Sequence, residues 1–273
     1  MQKKLSVILP IYWKNDFEGL KKTFTSILRQ TLQANEIIII YDGYVDIKII
    51  KYIKTQKKLI TIKEIKNKKN IGLGKSLNKA VKLCSFEFII RADCDDFNYK
   101  DRFKKQLNFM IKYNLDISGG YTIESDTSKK LKILKINPKN HENISKKMKF
   151  RNPISHQTVI FKKNSVLKAG NYEDVPYFED YFLWIKMLKC GYRLGNMNRV
   201  LVNVEIDKDF YNRRAGLKYF KDYLYFLKKC KKINFINILE YIRLSLFRFS
   251  IYILPITLVK KFYYYFLRKK IRS

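Results

Sequence analysis

The sequence predicts an α/β fold: an open sheet, parallel at first and mixed later, flanked by helices and followed by a basic helical extension. Three observations predict it. As far as Tyr113, short β-branched runs alternate with amphipathic stretches, the pattern of strands joined by crossover helices. Acidic residues cluster where the apolar runs end, and open sheets bind ligands at those ends. Beyond Asn212, aromatic residues interleave with Lys and Arg while acidic residues nearly vanish. The division this implies is residues 1–211 for the sheet domain and 212–273 for the extension.

The elements follow in order. Leu5 to Ile11 is strand-like, and Asp16 to Gln30 carries Phe17, Leu20, Phe24, Ile27 and Leu28 at helical spacing. Glu36 to Tyr41 is a continuous apolar run of the kind a parallel strand shows when both its faces are covered. A helix over Asp46 to Lys57 and a strand over Leu59 to Ile65 come next. Gly72 to Leu83 reads as a loop running into a helix, Phe86 to Ala92 as the fourth strand, and Asn98 to Tyr113 as a helix. The later pattern is mixed, with strands near Ile117 to Ile123, Thr158 to Lys162 and Leu201 to Ile206. A helix over Glu179 to Cys190 stops at Gly191.

Hydrophobic residues make up 47% of the chain, enough for a sizeable core and incompatible with wholesale disorder. Lys and Arg total 57 against 24 acidic residues, a net charge of +33 that attracts a polyanion such as nucleic acid, anionic lipid or a phosphorylated substrate. The four cysteines are widely spaced and only two histidines accompany them, so a structural zinc site is not expected and free thiols are. The start of the chain has Pro10 inside a short apolar run and no small-residue cleavage site, which reads as a buried strand of a cytoplasmic protein.

Four segments carry chemistry. Arg91-Ala-Asp93-Cys94-Asp95-Asp96 gathers three carboxylates at a strand end. Such clustering calls for a countercharge, and Mg²⁺ is held by one or two carboxylates together with phosphate oxygens; an acidic turn capping the next helix is the plainer alternative. Asp42-Gly43 closes the second strand, where a carboxylate can receive hydrogen bonds from a ribose or base or simply form a turn. Asn70-Ile-Gly72-Leu-Gly74-Lys75 is glycine-rich and opens a helix, with Lys75 positioned for phosphate. Glu179-Asp180 puts acids in the first turn of a helix, as the helix dipole alone favours, or supplies a carboxylate that takes a proton from an acceptor hydroxyl.

Ser6-Val-Ile-Leu-Pro10-Ile-Tyr12, Asp42-Gly43, Asn70-Ile-Gly72, Arg91 to Asp96 and Glu179-Asp180-Tyr-Phe-Leu-Trp184, in that order, resemble the family 2 glycosyltransferases. Asn152-Pro-Ile-Ser-His156-Gln-Thr-Val-Ile-Phe161 and Gly170-Asn-Tyr172 are similar to a subgroup that builds bacterial surface polysaccharides such as O-antigen and capsule. The resemblance implies a GT-A, Rossmann-like fold, a nucleotide-diphosphate-sugar donor, Mg²⁺ or Mn²⁺, and inversion at the anomeric carbon. By position it implies that Pro10, Tyr12 and Asp42 hold the uracil and ribose of a UDP-sugar. Asp93 faces ribose or metal, Asp95 ligates the metal, and Lys75 or Arg91 stabilises the leaving diphosphate. Asp180 is the general base. His156, Glu179 and Trp184 are candidates for a donor or acceptor contact; a hydrogen-bonded structural role is the alternative for His156, and a core position is the preferred reading for Trp184. Tyr41 stands where the family usually has an acid before Asp42. Cys94 replaces the usual Ala, which would make an accessible thiol a point of oxidation.

In the extension, the most apolar run, Leu244 to Val259, is broken by Arg248 and Pro255 and falls short of the roughly 20 residues that span a bilayer. It predicts helices lying against the anionic inner membrane surface, where a polyprenyl-diphosphate-linked saccharide acceptor would reside. A metal-dependent nucleotidyltransferase and a basic nucleic-acid-binding module are the rival readings; carboxylates clustered at strand ends argue against nucleic acid as a partner.

Overall fold

In a computed structural model of the chain, residues 3–126, 131–206, 216–252 and 269–270 are described. The central parallel strands are β1 (Leu5–Ile11), β2 (Glu36–Asp42), β3 (Ile62–Asn67) and β4 (Phe88–Arg91), in the order β4-β1-β2-β3. Between them run α1 (Phe17–Leu28), α2 (Ile47–Gln56) and α3 (Leu73–Leu83). Every residue of β2 is buried because both faces of the sheet are covered. Side chains alternate across the strand: Ile37, Ile39 and Tyr41 face α1 and α2, sharing a core with Phe24, Ile27, Ile49 and Ile53. Ile38 and Ile40 face α3 and share the opposite core with Leu77 and Val81.

β5 (Phe97–Asn98) and α4 (Arg102–Lys112) follow the fourth strand. The sheet then turns mixed. β6 (Ile117–Asp126) is antiparallel to β7 (Leu131–Lys135) and to β8 (Ile160–Lys162), and β8 is antiparallel to β4. The short helices α5 (His141–Lys147) and α6 (Lys163–Lys168) and a one-turn 3-10 helix at His156–Thr158 lie in this half. α7 (Glu179–Lys189) leads to β9 (Leu194–Glu205), which runs parallel to β6 and closes over β5. A two-residue strand, β10 (Lys269–Lys270), pairs with β7.

Several boundaries move for physical reasons. The third strand begins at Ile62, because its register with Ile37 is set there and Leu59 lies exposed at the turn closing α2. Asn98, expected at the start of a helix, pairs instead with Val202. The last strand of the sheet domain starts at Leu194, earlier than its apolar run, through a polar Gly-Asn-containing stretch that pairs with β6.

The extension forms α8 (Gly216–Lys232) and α9 (Ile238–Tyr252). Phe226, Leu227 and Cys230 of α8 are buried in the same core as α7. Phe226 stacks on Phe178 and Tyr181, with ring centroids 5.0 and 4.8 Å away. The expected boundary at 211/212 lies outside the described residues, as does the apolar run beyond Tyr252. Among the described residues, no helix is long and apolar enough to cross a membrane.

Candidate active site

The C-terminal ends of β1, β2 and β4 open on a cleft of about 380 Å³, lined among others by Pro10, Tyr12, Asp42, Arg91, Asp93 and Asp95. The sheet order delivers them there: three parallel neighbours end at one edge, so residues far apart in sequence share a rim. Asp42 is buried and receives hydrogen bonds from Asn67 Nδ2 (3.0 Å), the Ile71 amide (2.9 Å) and the Gly72 amide (3.1 Å). It thereby holds the loop that starts α3. A carboxylate has about four acceptor sites, which leaves capacity for one further donor. Gly43, at φ +90°, is required here because a Cβ would stand 2.8 Å from the Asn70 amide nitrogen.

The Asp93–Asp96 loop is anchored from below. The Thr23 hydroxyl donates to the Asp96 carbonyl (2.8 Å) and accepts from the Asp95 amide (3.1 Å). The buried guanidinium of Arg102 donates to the Arg91 carbonyl (2.9 Å) and to Asn98 and Gln106. Asp96 is buried, and burial, with Asp93 and Asp95 adding to it, raises its carboxyl well above the usual range. Its Oδ2 has no partner among the described residues. Carboxylates so crowded fit a hard divalent cation, whose preference is for oxygen ligands; Asp93, Asp95 and Asp96 are the residues that could hold Mg²⁺ or Mn²⁺. A second group, His156, Glu179 and Asp180, offers ligand atoms within 4.8 Å of one another, but its imidazole suits softer metals better, and both Asp180 oxygens and His156 Nε2 already hold hydrogen bonds.

His156, Glu179 and Asp180 are not among the residues lining the cleft; they are buried within electrostatic reach of Arg91, which does line it. Asp180 Oδ2 accepts from Asn152 Nδ2 (2.7 Å) and Oδ1 from the Tyr181 amide (2.7 Å). Burial raises its pKa, while the Tyr181 amide, Arg91 and Asn152 pull it back. Glu179 is pushed up to about 7, by burial first and then by Asp180. His156 bonds the Tyr172 hydroxyl through Nε2 (2.9 Å), with Nδ1 3.7 Å from Asp180. Burial and then Arg91 hold its pKa well below the usual value, so the ring is neutral at pH 7.

Arg91 joins this group to the cleft. Its Nε is 2.7 Å from Asp93, and burial, which disfavours its charge, is outweighed by Asp93, Tyr172, Glu179 and Asp180. Its Nη1 is buried without a hydrogen-bond partner among the described residues, a donor held in reserve beside the cleft.

Three expected residues stand elsewhere or behave differently. Lys75 is exposed and ion-paired with Asp174 at 2.6 Å, and it does not line the cleft; packing of Gly74 against the Glu173 carbonyl turns the start of α3 toward that loop. Trp184 is fully buried, edge-on to His156 (5.8 Å), in the core position preferred for it and not on the acceptor side. Cys94 is buried, and burial with Asp95 and neighbouring carboxylates raises its thiol pKa, so the expected oxidation sensitivity is corrected: the thiolate that reacts is suppressed. The sequence did not announce the roles of Thr23, Arg102 and Asn152; Gln157 and Glu205 also line the cleft. Asn152 and Gln157 stand in the Asn-Pro-Ile-Ser-His-Gln run, whereas Thr23, Arg102 and Glu205 carry no local signal.

Comparison with known proteins fits this geometry. The family model described as glycosyl transferase family 2 matches residues 6–170. The chain is 34% identical over 231 residues to the amylovoran biosynthesis glycosyltransferase AmsE of Erwinia amylovora, covering 83% of this chain and 86% of that one. It is 36% identical over 220 residues to the UDP-Gal:alpha-D-GlcNAc-diphosphoundecaprenol beta-1,3-galactosyltransferase of Escherichia coli, covering 79% of each. Among solved structures it is similar to residues 1–349 of S. aureus TarS in complex with UDP-GlcNAc (TM-score 0.62, 16% identity, 82% of this chain and 65% of that one). It is also similar to the mannosyltransferase PcManGT of Pyrobaculum calidifontis in complex with GDP-Man and Mn²⁺ (TM-score 0.64, 12% identity, 85% and 65%). These likenesses show a GT-A fold. With the family model covering more than half its length and relatives above 30% identity along most of it, the chain belongs to glycosyl transferase family 2 and is a glycosyltransferase.

Proposed function

We propose that this glycosyltransferase moves a sugar from a nucleotide-diphosphate sugar, a UDP-sugar first among them, to a lipid-linked saccharide in surface polysaccharide synthesis. The observation that carries this reading is Arg91, which places a phosphate-and-metal type carboxylate loop and a buried carboxylate pair within one electrostatic cluster. The galactosyltransferase relative, named for a UDP-sugar donor and a diphosphoundecaprenol-linked acceptor, supports these substrate classes.

In this reading Pro10, Tyr12 and Asp42 receive the nucleoside, with Asp42 using its remaining acceptor capacity. Asp93, Asp95 and Asp96 would hold Mg²⁺ or Mn²⁺, which would offset the charge of the donor diphosphate. The Arg91 Nη1 donates to the donor as charge builds on the leaving oxygen. Asp180, kept in place by Asn152, takes the proton of the acceptor hydroxyl; that oxygen bonds to the anomeric carbon as the bond to the diphosphate breaks, with inversion. His156, neutral and tied to Tyr172, orients the carboxylate beside it. Residues 1–211 form the catalytic unit and 212–273 a basic aromatic extension that brings the protein to the anionic inner membrane surface from the cytoplasmic side, each basic residue near such a surface adding about 1 kcal/mol.

The test is a panel of UDP-, GDP- and dTDP-sugars with Mn²⁺ or Mg²⁺ and a lipid-linked acceptor, scored by free nucleotide. Nucleoside diphosphate release supports sugar transfer, and pyrophosphate release would mean nucleotidyl transfer. Asp180→Asn should lower kcat by roughly 10²–10⁴ with donor affinity retained; undiminished turnover removes Asp180 as the base.

A further inference from the structure

The cleft and the buried group behind it meet at one turn. The 3-10 helix His156–Thr158 carries both His156, whose ring stands 3.7 Å from Asp180, and Gln157, which lines the cleft. This turn is held on either side of Gln157. His156 bonds the Tyr172 hydroxyl, while Thr158 accepts from Gln106 Nε2 (2.7 Å) through its carbonyl and from the Gly120 amide (3.0 Å) through its hydroxyl. One residue further, the Val159 carbonyl accepts from the Arg91 amide at 3.1 Å, tying the turn to the end of β4. Gln157 itself is half-buried, and among the described residues nothing hydrogen-bonds its side-chain amide. Asn15, Asn70 and Ser76, which also line the cleft, each already accept a hydrogen bond. An amide with two donors and an acceptor uncommitted, on a turn fixed from both sides, suits recognition of a ligand.

The charges around the cleft narrow the kind of group that fits beside it. Asp42, Asp93, Asp95, Asp96 and Glu205 line the cleft, and among the described residues Arg91 is the one basic residue that does. Arg91 is already 2.7 Å from Asp93. A carboxylate carried in on a sugar would therefore face other carboxylates and find no cation of its own. A hydroxyl donates and accepts at once, as the amide does, and meets no such repulsion. The place of the sugar follows from the proposed reaction: its anomeric carbon has to lie between a diphosphate beside Asp93 to Asp96 and the proton acceptor Asp180. Gln157 lines the cleft one residue from His156, at the end nearest that acceptor.

We propose that Gln157 reads the transferred sugar, its amide bonding a hydroxyl or acetamido group of a neutral hexose while the surrounding carboxylates turn uronic acids away. The assignment rests on the reading of sugar transfer from a nucleotide-diphosphate sugar and gives that donor a sugar class and a residue that selects it.

Calorimetric titration of the full chain with Mn²⁺ separates the sugar from the nucleotide. The ligands are the free nucleoside diphosphate that the donor panel selects, its neutral hexose and N-acetylhexosamine donors, and the matching uronate. Wild-type protein should bind at least one neutral donor more tightly than the uronate. In Gln157→Ala the affinity for that donor, relative to the free nucleoside diphosphate, should fall about tenfold, the loss of one hydrogen bond. Gln157→Asn, whose amide is one carbon shorter, should fall between the two. Donors lacking one ring hydroxyl at a time locate the contact: at the hydroxyl that Gln157 reads, wild type and Gln157→Ala should bind the deoxy donor alike. Equal weakening of nucleotide and nucleotide-sugar would mean a structural role and overturns the assignment, as does a wild-type ratio in Gln157→Ala or a uronate bound as tightly as the best hexose. Wild-type protein that releases nucleoside diphosphate from no donor, with a lipid-linked acceptor present, refutes sugar transfer itself, a result read by turnover and distinct from these binding ratios.

Discussion

Asp180 is held by two hydrogen bonds of different origin, and they predict different losses. The Tyr181 amide belongs to the same helix and survives any side-chain change, whereas Asn152 reaches Asp180 from a separate segment. Because Asn152 lowers the Asp180 pKa, Asn152→Ala should raise it. The proposed base must be ionised to act, so the acidic limb of the kcat profile should move to higher pH, read from nucleotide release across pH 5–9. Glu179 permits a stability prediction. Its pKa is raised to about 7 by burial and by Asp180, so its contribution is fully present below the ordinary value of 4.5 and is lost as pH rises through about 7. Glu179→Gln should therefore raise the melting temperature at pH 8 and change it little at pH 4.5. Among single residues, those announced by a local pattern were legible from sequence: Asp42 beside a glycine, three acids closing a strand, Glu179-Asp180 opening a helix. Thr23 and Arg102 were not, since a threonine or arginine in an amphipathic helix looks the same whether it faces water or braces a loop from beneath.

At the scale of elements, α3 meets the loop before α7 at Gly74. A Cβ there would lie 2.2 Å from the Glu173 carbonyl oxygen and 3.2 Å from Glu179 Cβ. In an exposed helix, Gly→Ala gains about 1 kcal/mol; here Gly74→Ala should instead destabilise by about 1–3 kcal/mol, measured by urea unfolding, because the obstructing atom is backbone. The same contact explains why Lys75, one residue on, is carried to Asp174 and away from the cleft. Elements whose hydrophobic period is undiluted were read well: β1, β2, α1 and α7 stand within a few residues of their expected ends. β5 and the first half of β9 escaped notice because a two-residue strand and a Gly-Asn stretch have no period to detect. Their pairing is decided by partners across the sheet.

For the molecule as a whole, the two parts expected from composition share a core. Phe226, Leu227 and Cys230 are buried against Phe178, Tyr181 and Phe182, and Glu173 bridges Lys186 of α7 and Lys229 of α8 at 2.7 and 2.5 Å. A chain ending at residue 211 forfeits this packing, with each large apolar side chain worth about 1.5–3 kcal/mol. It should melt at a lower temperature and lose turnover more severely than donor affinity, as measured by calorimetry and nucleotide titration. A charge-and-composition boundary is visible in sequence; whether the flanking helices share hydrophobic contacts across it is not, because both sides are equally amphipathic. The docking of α8 on the start of α7 also ties the two ends of the fold together. The three parallel strands whose ends open on the cleft all lie before residue 92, whereas Phe226, which stacks on Phe178 and Tyr181 beside Glu179 and Asp180, comes from a helix more than a hundred residues later. Loosening α8 should therefore disturb the Glu179–Asp180 end first and leave the strand-end cleft standing.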